Sequence, residues 1–239
     1  MTADIKAHRI AAFFAPRPEH LLWRTGSQWL GRDASCRAAS LSASCPVSAS
    51  VVQAPRRYGF HATFKPPFEL RPGIDAGQVG EQTRKLAARL APFEMPRLSV
   101  QWLNGFLALR PVSPQDPGVA ALVKTAAEVV RGLDPLRQPA SAAQIAARQQ
   151  GGLTTLEQSM LSQWGYPYVL DAWRFHMTLT GRIPDQPEFA GARADVFNQA
   201  QLYFADSLCE PLHCEDICLF VEPKPGTEMH VWQRIALTG

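Results

Sequence analysis

The chain has 239 residues, of which 46% are hydrophobic and 19% are charged, the balance of a globular protein rather than a disordered one. It contains no run of eighteen apolar residues and no signal-peptide pattern at its N-terminus, so we expect a cytoplasmic protein without a membrane-spanning helix. Its net charge of +3 is too small to indicate a DNA-binding protein, and we expect no DNA partner.

Hydrophobic spacing and turn residues predict the elements of the first part of the chain. In chain order they are a strand at 8–14, a short helix within PEHLLWRTGSQWLG, a loop-rich connection at 32–56, a strand on YGFHATFK that Pro66-Pro67 ends, a helix at 75–91, two strands (RLSVQWL and FLALRPV) and a helix at 117–133. Asn104-Gly105, between the two strands, predicts a tight hairpin turn.

The second part of the chain repeats this order. A helical or mixed stretch at 141–164 is followed by a strand on WRFHMTLT, a helix near 190–208, a strand at 213–222 and a last strand at 228–237. The sequence therefore predicts an α+β fold built as a bilobal pseudo-twofold repeat of strand–helix–strand–strand units, with antiparallel sheets lining a central cleft. We expect a single domain over 1–239, with lobes near 57–135 and 170–239 and the strand at 8–14 joining the sheet.

The strand sequences that open the two repeats share the motif Phe-His-x-Thr, and their histidines are 115 residues apart (176 − 61). Because side chains alternate along a strand, His61 and Thr63 share one face of their strand, as His176 and Thr178 do in the second copy. A single His-x-Thr on a strand is usually structural. Two copies that open the same order of elements favour a functional pair.

The surroundings of the motif are cationic and suit a phosphate group. Windows 56–65 and 174–182 hold five cations and no Asp or Glu in 19 residues, where 24 cations in 239 residues would predict about two. One histidine can act as a base while the other protonates a leaving oxygen, and the threonine hydroxyls can hold phosphate oxygens. Lys65, Arg174 or Arg182 can stabilise the developing negative charge, so this chemistry needs no metal and no cofactor.

The paired H-x-T motifs resemble the two-histidine (2H) phosphoesterase superfamily, which includes cyclic phosphodiesterases and bacterial RNA 2′-phosphodiester ligases. The strings RRYGFHATFKPPFEL, WLGRD, WGYPY and WRFHMTLTGRI are similar to one branch, proteins assigned to phosphonate metabolism and encoded beside carbon–phosphorus lyase genes. In that branch a tyrosine often stands near the position of Phe13 or Phe14.

This resemblance implies a role for each candidate residue. His61 and His176 are expected to be catalytic and Thr63 and Thr178 to bind phosphate, with further substrate-binding neighbours at Tyr58, Lys65, Arg174 and Arg182. The expected activity is metal-independent hydrolysis of a small cyclic phosphate or phosphodiester, and the expected partner is a small, nucleotide-like phosphorylated substrate or an RNA end.

Two other functions remain open from the sequence. The same fold could bind a nucleotide or an RNA end without turnover, using an aromatic such as Trp173 or Tyr166 to stack on a base. A zinc hydrolase could use Cys209, His213 and Cys214, although their spacing matches no common zinc-ligand pattern. Five cysteines, an odd number, argue against a secreted disulfide framework.

Overall fold

The computed structural model describes residues 5–36 and 46–239. The α-helices in these ranges are α1 (Leu21–Trp29), α2 (Ala49–Arg56), α3 (Ala76–Ala87), α4 (Pro117–Leu133), α5 (Ala142–Gln149), α6 (Thr155–Trp164) and α7 (Ala190–Phe204). The strands are β1 (Arg9–Phe14), β2 (Ala62–Phe68), β3 (Phe93–Glu94), β4 (Leu98–Leu103), β5 (Phe106–Pro111), β6 (Met177–Thr178), β7 (His213–Cys214), β8 (Asp216–Glu222) and β9 (His230–Ala236). No helix in the described ranges has the length and apolar character needed to cross a bilayer.

Seven of the strands form one antiparallel sheet in the order β4-β5-β6-β2-β1-β8-β9. The two motif strands, β2 and β6, are neighbours in this sheet. The remaining strands, β3 and β7, pair with each other in a separate two-stranded sheet. The predicted α+β class with antiparallel strands is therefore confirmed, and the main sheet continues through both copies of the repeat.

The element order repeats as predicted. The first copy runs β2–α3–β3–β4–β5 and the second runs β6–α7–β7–β8–β9. Corresponding strands of the two copies pair with each other, β2 with β6 and β3 with β7, as a pseudo-twofold arrangement requires. Each motif strand is also connected to the hairpin of the other copy. Strand β6 pairs with β5 of the β4–β5 hairpin, and β1 lies between β2 and β8 of the β8–β9 hairpin.

The two faces of the sheet differ in how they are covered. Alternate residues of β1, such as Ala12 and Phe14, belong to the main hydrophobic core, which also contains residues of α1, α3, α4 and α7. The intervening residue Phe13 faces the other way, into a smaller cluster with Phe220 and Trp23. The register pairs Phe13 with Thr63, so the polar residues of the first motif lie on this second face.

Three sequence predictions about element boundaries differ from the structure. Pro66-Pro67 does not end β2: the register passes from Ala12 opposite Lys65 to Ile10 opposite Phe68, so two prolines oppose one residue in a bulge. The prolines are tolerated because β6 pairs with β2 only at Ala62, which leaves the other edge of β2 without a ladder at this point.

The second wrong prediction is the loop at 32–56. Within it, residues 37–45 lie outside the described residues, whereas helix α2 occupies the end of the segment. Its apolar residue Val52 is buried in the main core, and Pro55 lies near the helix C-terminus. The second motif strand is also shorter than expected, since only Met177 and Thr178 form ladder pairs in β6.

Candidate active site

The strand register brings the two motifs together in antiparallel orientation. Ala62 pairs directly with Met177, and both side chains are buried in the main core. Continuing this register places His61 opposite Thr178 and Thr63 opposite His176, all on the other face of the sheet. The two histidines are then diagonal neighbours, a relation that separates residues by about 7–8 Å in antiparallel sheets.

The two imidazoles are held by the same local hydrogen bond. Nδ1 of His61 lies 2.9 Å from the carbonyl oxygen of Gly59, and Nδ1 of His176 lies 2.8 Å from that of Arg174. In each copy the carbonyl belongs to the residue two positions earlier. A carbonyl can only accept, so Nδ1 of each neutral ring carries the proton, and each Nε2 presents a lone pair.

His61 is packed among aromatic side chains. The Phe13 ring stacks on it with centroids 3.8 Å apart, and the rings of Tyr58 and Phe220 each lie 6.1 Å away. Burial lowers the pKa of His61 to about 4; the bond to Gly59 opposes this shift, and the charge of a protonated His176 adds to it. His61 is therefore neutral at pH 7.

His176 lies in an apolar and cationic environment of its own. Its ring is 5.7 Å from that of Phe106. Burial lowers the pKa of His176, the bond to the Arg174 carbonyl opposes the shift, and the Arg110 guanidinium adds to it. Both histidines of the free site therefore favour the neutral form more strongly than a histidine in water does.

A cavity of about 520 Å³ lies against the second motif. Its lining combines motif residues with polar and aromatic side chains from the neighbouring hairpin and from the segment around α6: Thr63, Asn104, Phe106, Thr154, Glu157, Tyr166, Tyr168, Trp173, Arg174, His176 and Arg182, among others. We call this space the motif cavity. His61 and Thr178 are not among the lining residues, but the Thr63 hydroxyl lies 3.3 Å from Nε2 of His61 and connects that ring to the lining.

The candidate cations are divided between two places. Arg174 and Arg182 are exposed and line the motif cavity, where Nη1 of Arg174 donates to the carbonyl of Trp173 at 2.7 Å. Lys65 does not line it: its ammonium group is buried and donates to Asp134 at 3.0 Å, in the wall of a second cavity. Tyr58 is half-buried beside His61, with the Arg57 guanidinium 5.7 Å from its ring centroid.

Sequence reasoning missed several residues that position the motif. Phe13 forms the stacking surface for His61, and the indole Nε1 of Trp173 donates to the backbone carbonyl of Thr63 at 2.7 Å. For Trp173 the sequence suggests only stacking on a base. The alternation of β1 places Phe13 on the polar face, but only the pairing of β1 with β2 brings it against His61.

The cysteine-rich segment forms no metal cluster in the described ranges, where no group of three or more His, Cys, Asp and Glu residues is placed to hold an ion. Cys209 and His213 are exposed, whereas Cys214 is buried in the main core. His213 and Cys214 are neighbours on β7, so their side chains point in opposite directions.

Comparison with known proteins identifies a family and longer relatives. The family described as "Protein of unknown function (DUF1045)" matches residues 63–230. A protein from Laribacter hongkongensis (strain HLHK9) named ribose 1,5-bisphosphate phosphokinase PhnN is 36% identical over 231 residues, which cover 96% of this chain and 52% of that protein. A protein of the same name from Janthinobacterium sp. (strain Marseille) is 32% identical over 241 residues, which cover 97% of this chain and 51% of that protein. The chain thus spans about half the length of these relatives.

Solved structures of low sequence identity also match. The crystal structure of E. coli LigT complexed with 3′-AMP has a TM-score of 0.41 and 15% identity, covering 97% of this chain and 98% of that one. The structure of E. coli LigT complexed with ATP has a TM-score of 0.39 and 13% identity, covering 98% of this chain and 99% of that one. Scores this low support no conclusion about function.

Proposed function

The chain belongs to the DUF1045 family of proteins of unknown function, and from the geometry of its two histidines we propose that it is a metal-independent phosphoesterase acting on a small cyclic phosphate or phosphodiester. One observation carries the proposal. Two histidines that directly precede adjacent antiparallel strands each have Nδ1 held by a backbone carbonyl, so Nε2 is the proton-accepting nitrogen of both neutral rings.

The proposed reaction divides two proton transfers between the histidines. Nε2 of one neutral imidazole takes a proton from water as the water oxygen attacks phosphorus. The other imidazole, protonated, gives its proton to the ester oxygen that leaves as the P–O bond breaks. The products are a phosphomonoester and a hydroxyl group, and no metal ion enters the proton balance.

Hydroxyl and guanidinium groups would hold the phosphate between the rings. In the free site the Thr63 hydroxyl donates to Nε2 of His61, and on binding it can turn toward a non-bridging oxygen instead. Thr178, opposite His61 in the register, is its counterpart. Arg174 and Arg182 line the motif cavity and can stabilise charge on the other oxygens.

In the free site the pKa of each histidine is lowered, so something must favour a proton on one ring before that ring can act as the acid. A bound phosphodiester brings a negative charge next to both rings, and an adjacent opposite charge raises a histidine pKa. Substrate binding would thus favour protonation of one ring, while a positive charge on His176 would disfavour a second proton on His61, because it lowers the pKa of that ring. A singly protonated pair is the state that the mechanism needs.

The relatives' name suggests a chemical setting for this activity. Those proteins are named for a kinase acting on ribose 1,5-bisphosphate, and this chain spans about half their length. The chain contains no G-x-x-x-x-G-K-[ST] phosphate-binding loop, so we propose that it supplies a different step. Opening a 1,2-cyclic phosphate on 5-phosphoribose by attack of water at phosphorus, with cleavage of the P–O2 bond, yields ribose 1,5-bisphosphate. This reaction would place the chain in phosphonate metabolism.

The test is turnover of a panel of cyclic phosphates, namely nucleoside 2′,3′-cyclic phosphates and 5-phosphoribosyl 1,2-cyclic phosphate, followed by ³¹P NMR. His61→Ala and His176→Ala should each lower kcat by about 10²–10⁴, the usual contribution of a positioned acid or base. The double variant should be little worse than either single one, because the two groups act in one step. His213→Ala, which removes an exposed histidine from β7, is the matched control and should retain the wild-type rate.

The other outcomes distinguish the alternatives. If the wild type binds cyclic nucleotides but turns none over, and the histidine variants change only affinity, the chain is a binding module. If the His213→Ala variant loses activity, and EDTA abolishes turnover that zinc then restores, the two-histidine mechanism is wrong. Equal turnover by the wild type and the double histidine variant would also reject it.

A further inference from the structure

A second cavity, of about 350 Å³, lies next to the motif cavity and is lined by five cationic side chains: Arg9, Arg57, Lys65, Arg137 and Arg148. We infer that this basic cavity binds a second phosphate group, a phosphomonoester carried by the same molecule whose cyclic phosphate or diester occupies the motif cavity. The inference rests on the proposed function for the identity of the substrate, and on the charges of the basic cavity for the second phosphate.

Two carboxylates hold four of the cations in position. Glu222 is fully buried and accepts hydrogen bonds from both Arg9 and Arg57. Asp134 accepts from Lys65 at 3.0 Å and from Nε of Arg137 at 2.8 Å. Each carboxylate thus fixes two cations and neutralises only one of them. Two positive charges are left over, before Arg148 is counted.

Arg148 adds a cation with no carboxylate of its own. It donates to the carbonyl of Gly165 and lies 5.6 Å from the centroid of the Tyr166 ring, and it forms no ion pair with any described residue. Glu69, in the cavity wall, accepts from Gln144 at 3.3 Å. Five cations against three carboxylates leave the basic cavity with an excess of two positive charges, which matches a phosphomonoester dianion.

The two cavities are close enough to take one small molecule. Tyr166 lines both of them. Thr63 lines the motif cavity and Lys65 lines the basic cavity, and two residues along a strand span only about 7 Å. A single sugar ring with phosphate groups at its two ends can bridge such a distance. The substrate class that fits is therefore a small sugar carrying both a cyclic phosphate and a phosphomonoester.

The experiment compares adenosine 2′,3′-cyclic phosphate with and without a 5′-phosphate. On the wild type, the 5′-phosphate should raise kcat/KM by about tenfold or more, as a charge-assisted hydrogen bond allows. Arg148→Gln should remove most of this preference, and Arg148→Lys should restore part of it. Arg148 is suited to substitution because α5 buries no side chain in the core. Lys85→Gln, on an exposed position of α3, is the control for loss of one charge and should keep the preference.

A binding measurement separates this inference from the proposed activity. Calorimetric titration of the His61→Ala, His176→Ala double variant with inorganic phosphate should still detect a site, which adding Arg148→Gln should weaken about tenfold or more. Phosphate binding without any turnover by the wild type would reject the proposed function and support the second site. Turnover with no preference for the 5′-phosphate, or phosphate binding that Arg148→Gln leaves unchanged, would overturn the inference.

Discussion

In each motif, the hydrogen bond that fixes the histidine tautomer joins two residues that are only two positions apart in the chain. Because the acceptor is the carbonyl two positions earlier, the bond depends on the local path of the backbone, and both copies take that path. Neighbouring strands supply the rest of each environment. Phe13 on β1 stacks on His61, and Phe106 on β5 lies beside His176.

The lowered pKa of His61 predicts how stability depends on pH. Below pH 6.5 the unfolded chain binds a proton at this residue, whereas the folded protein does so only near pH 4, so stability falls as the pH is lowered through that interval. The shift corresponds to at most about 3 kcal/mol of unfolding free energy. In urea unfolding from pH 7 to pH 4, His61→Gln should lose correspondingly less stability than the wild type. Parallel curves for the two proteins would contradict the assigned burial.

The β4–β5 hairpin is the element that brings Asn104 and Phe106 to the motif cavity. Its two turn residues have positive φ angles, 46° for Asn104 and 86° for Gly105. This is the backbone that a two-residue hairpin of the Asn-Gly kind requires, and the prediction of that turn from the sequence is confirmed.

A pair of glycine substitutions tests the hairpin. Gly105→Ala should lower the free energy of unfolding by about 1–2 kcal/mol, because a side chain disfavours the left-handed region. Gly191→Ala, in helix α7 where an added Cβ would meet open space, should instead raise it by about 0.5 kcal/mol, since alanine restricts the unfolded chain. Urea unfolding of both variants measures the difference. If Gly105→Ala were as stable as the wild type, the turn would not have the backbone described here.

Elements with local signals were predictable, and those fixed by distant partners were not. The helix predicted at 117–133 has those bounds, because Asp116 caps it and a proline suits its first turn. The continuation of β2 through Pro66-Pro67 depends on a bulge against β1, which adjacent residues do not reveal. Likewise, side-chain alternation predicts that His61 and Thr63 share one face of their strand. The position of Lys65 in the neighbouring cavity depends instead on its hydrogen bond to Asp134, at the end of α4.

At the scale of the whole molecule, the exchange of strands makes the two repeats depend on each other. Strand β6 of the second copy lies between β5 and β2 of the first. The connection between the copies contains the exposed residues 149–152, which are suited to cleavage. Fragments 1–150 and 151–239 each carry one motif.

We expect these fragments to complement each other. Coexpressed, they should copurify and recover turnover of the cyclic phosphates, whereas neither fragment alone should have measurable activity, since one histidine cannot serve as both acid and base in the same step. Size-exclusion chromatography and the turnover assay measure the two results separately. Activity in either isolated fragment would show that the second motif is not required.

The antiparallel pairing of β2 with β6 is the geometry of an isologous interface, in which a patch contacts its own copy across a twofold axis. In a dimer of identical subunits such a site would hold two histidines in identical surroundings. Here both copies belong to one chain, and their surroundings differ: Phe13 and Phe220 enclose one ring, while Phe106 and Arg110 flank the other. Duplication within a chain thus frees each histidine to acquire its own proton affinity, so that the same ring can be the acid in every molecule, a fixed assignment that identical surroundings would not give.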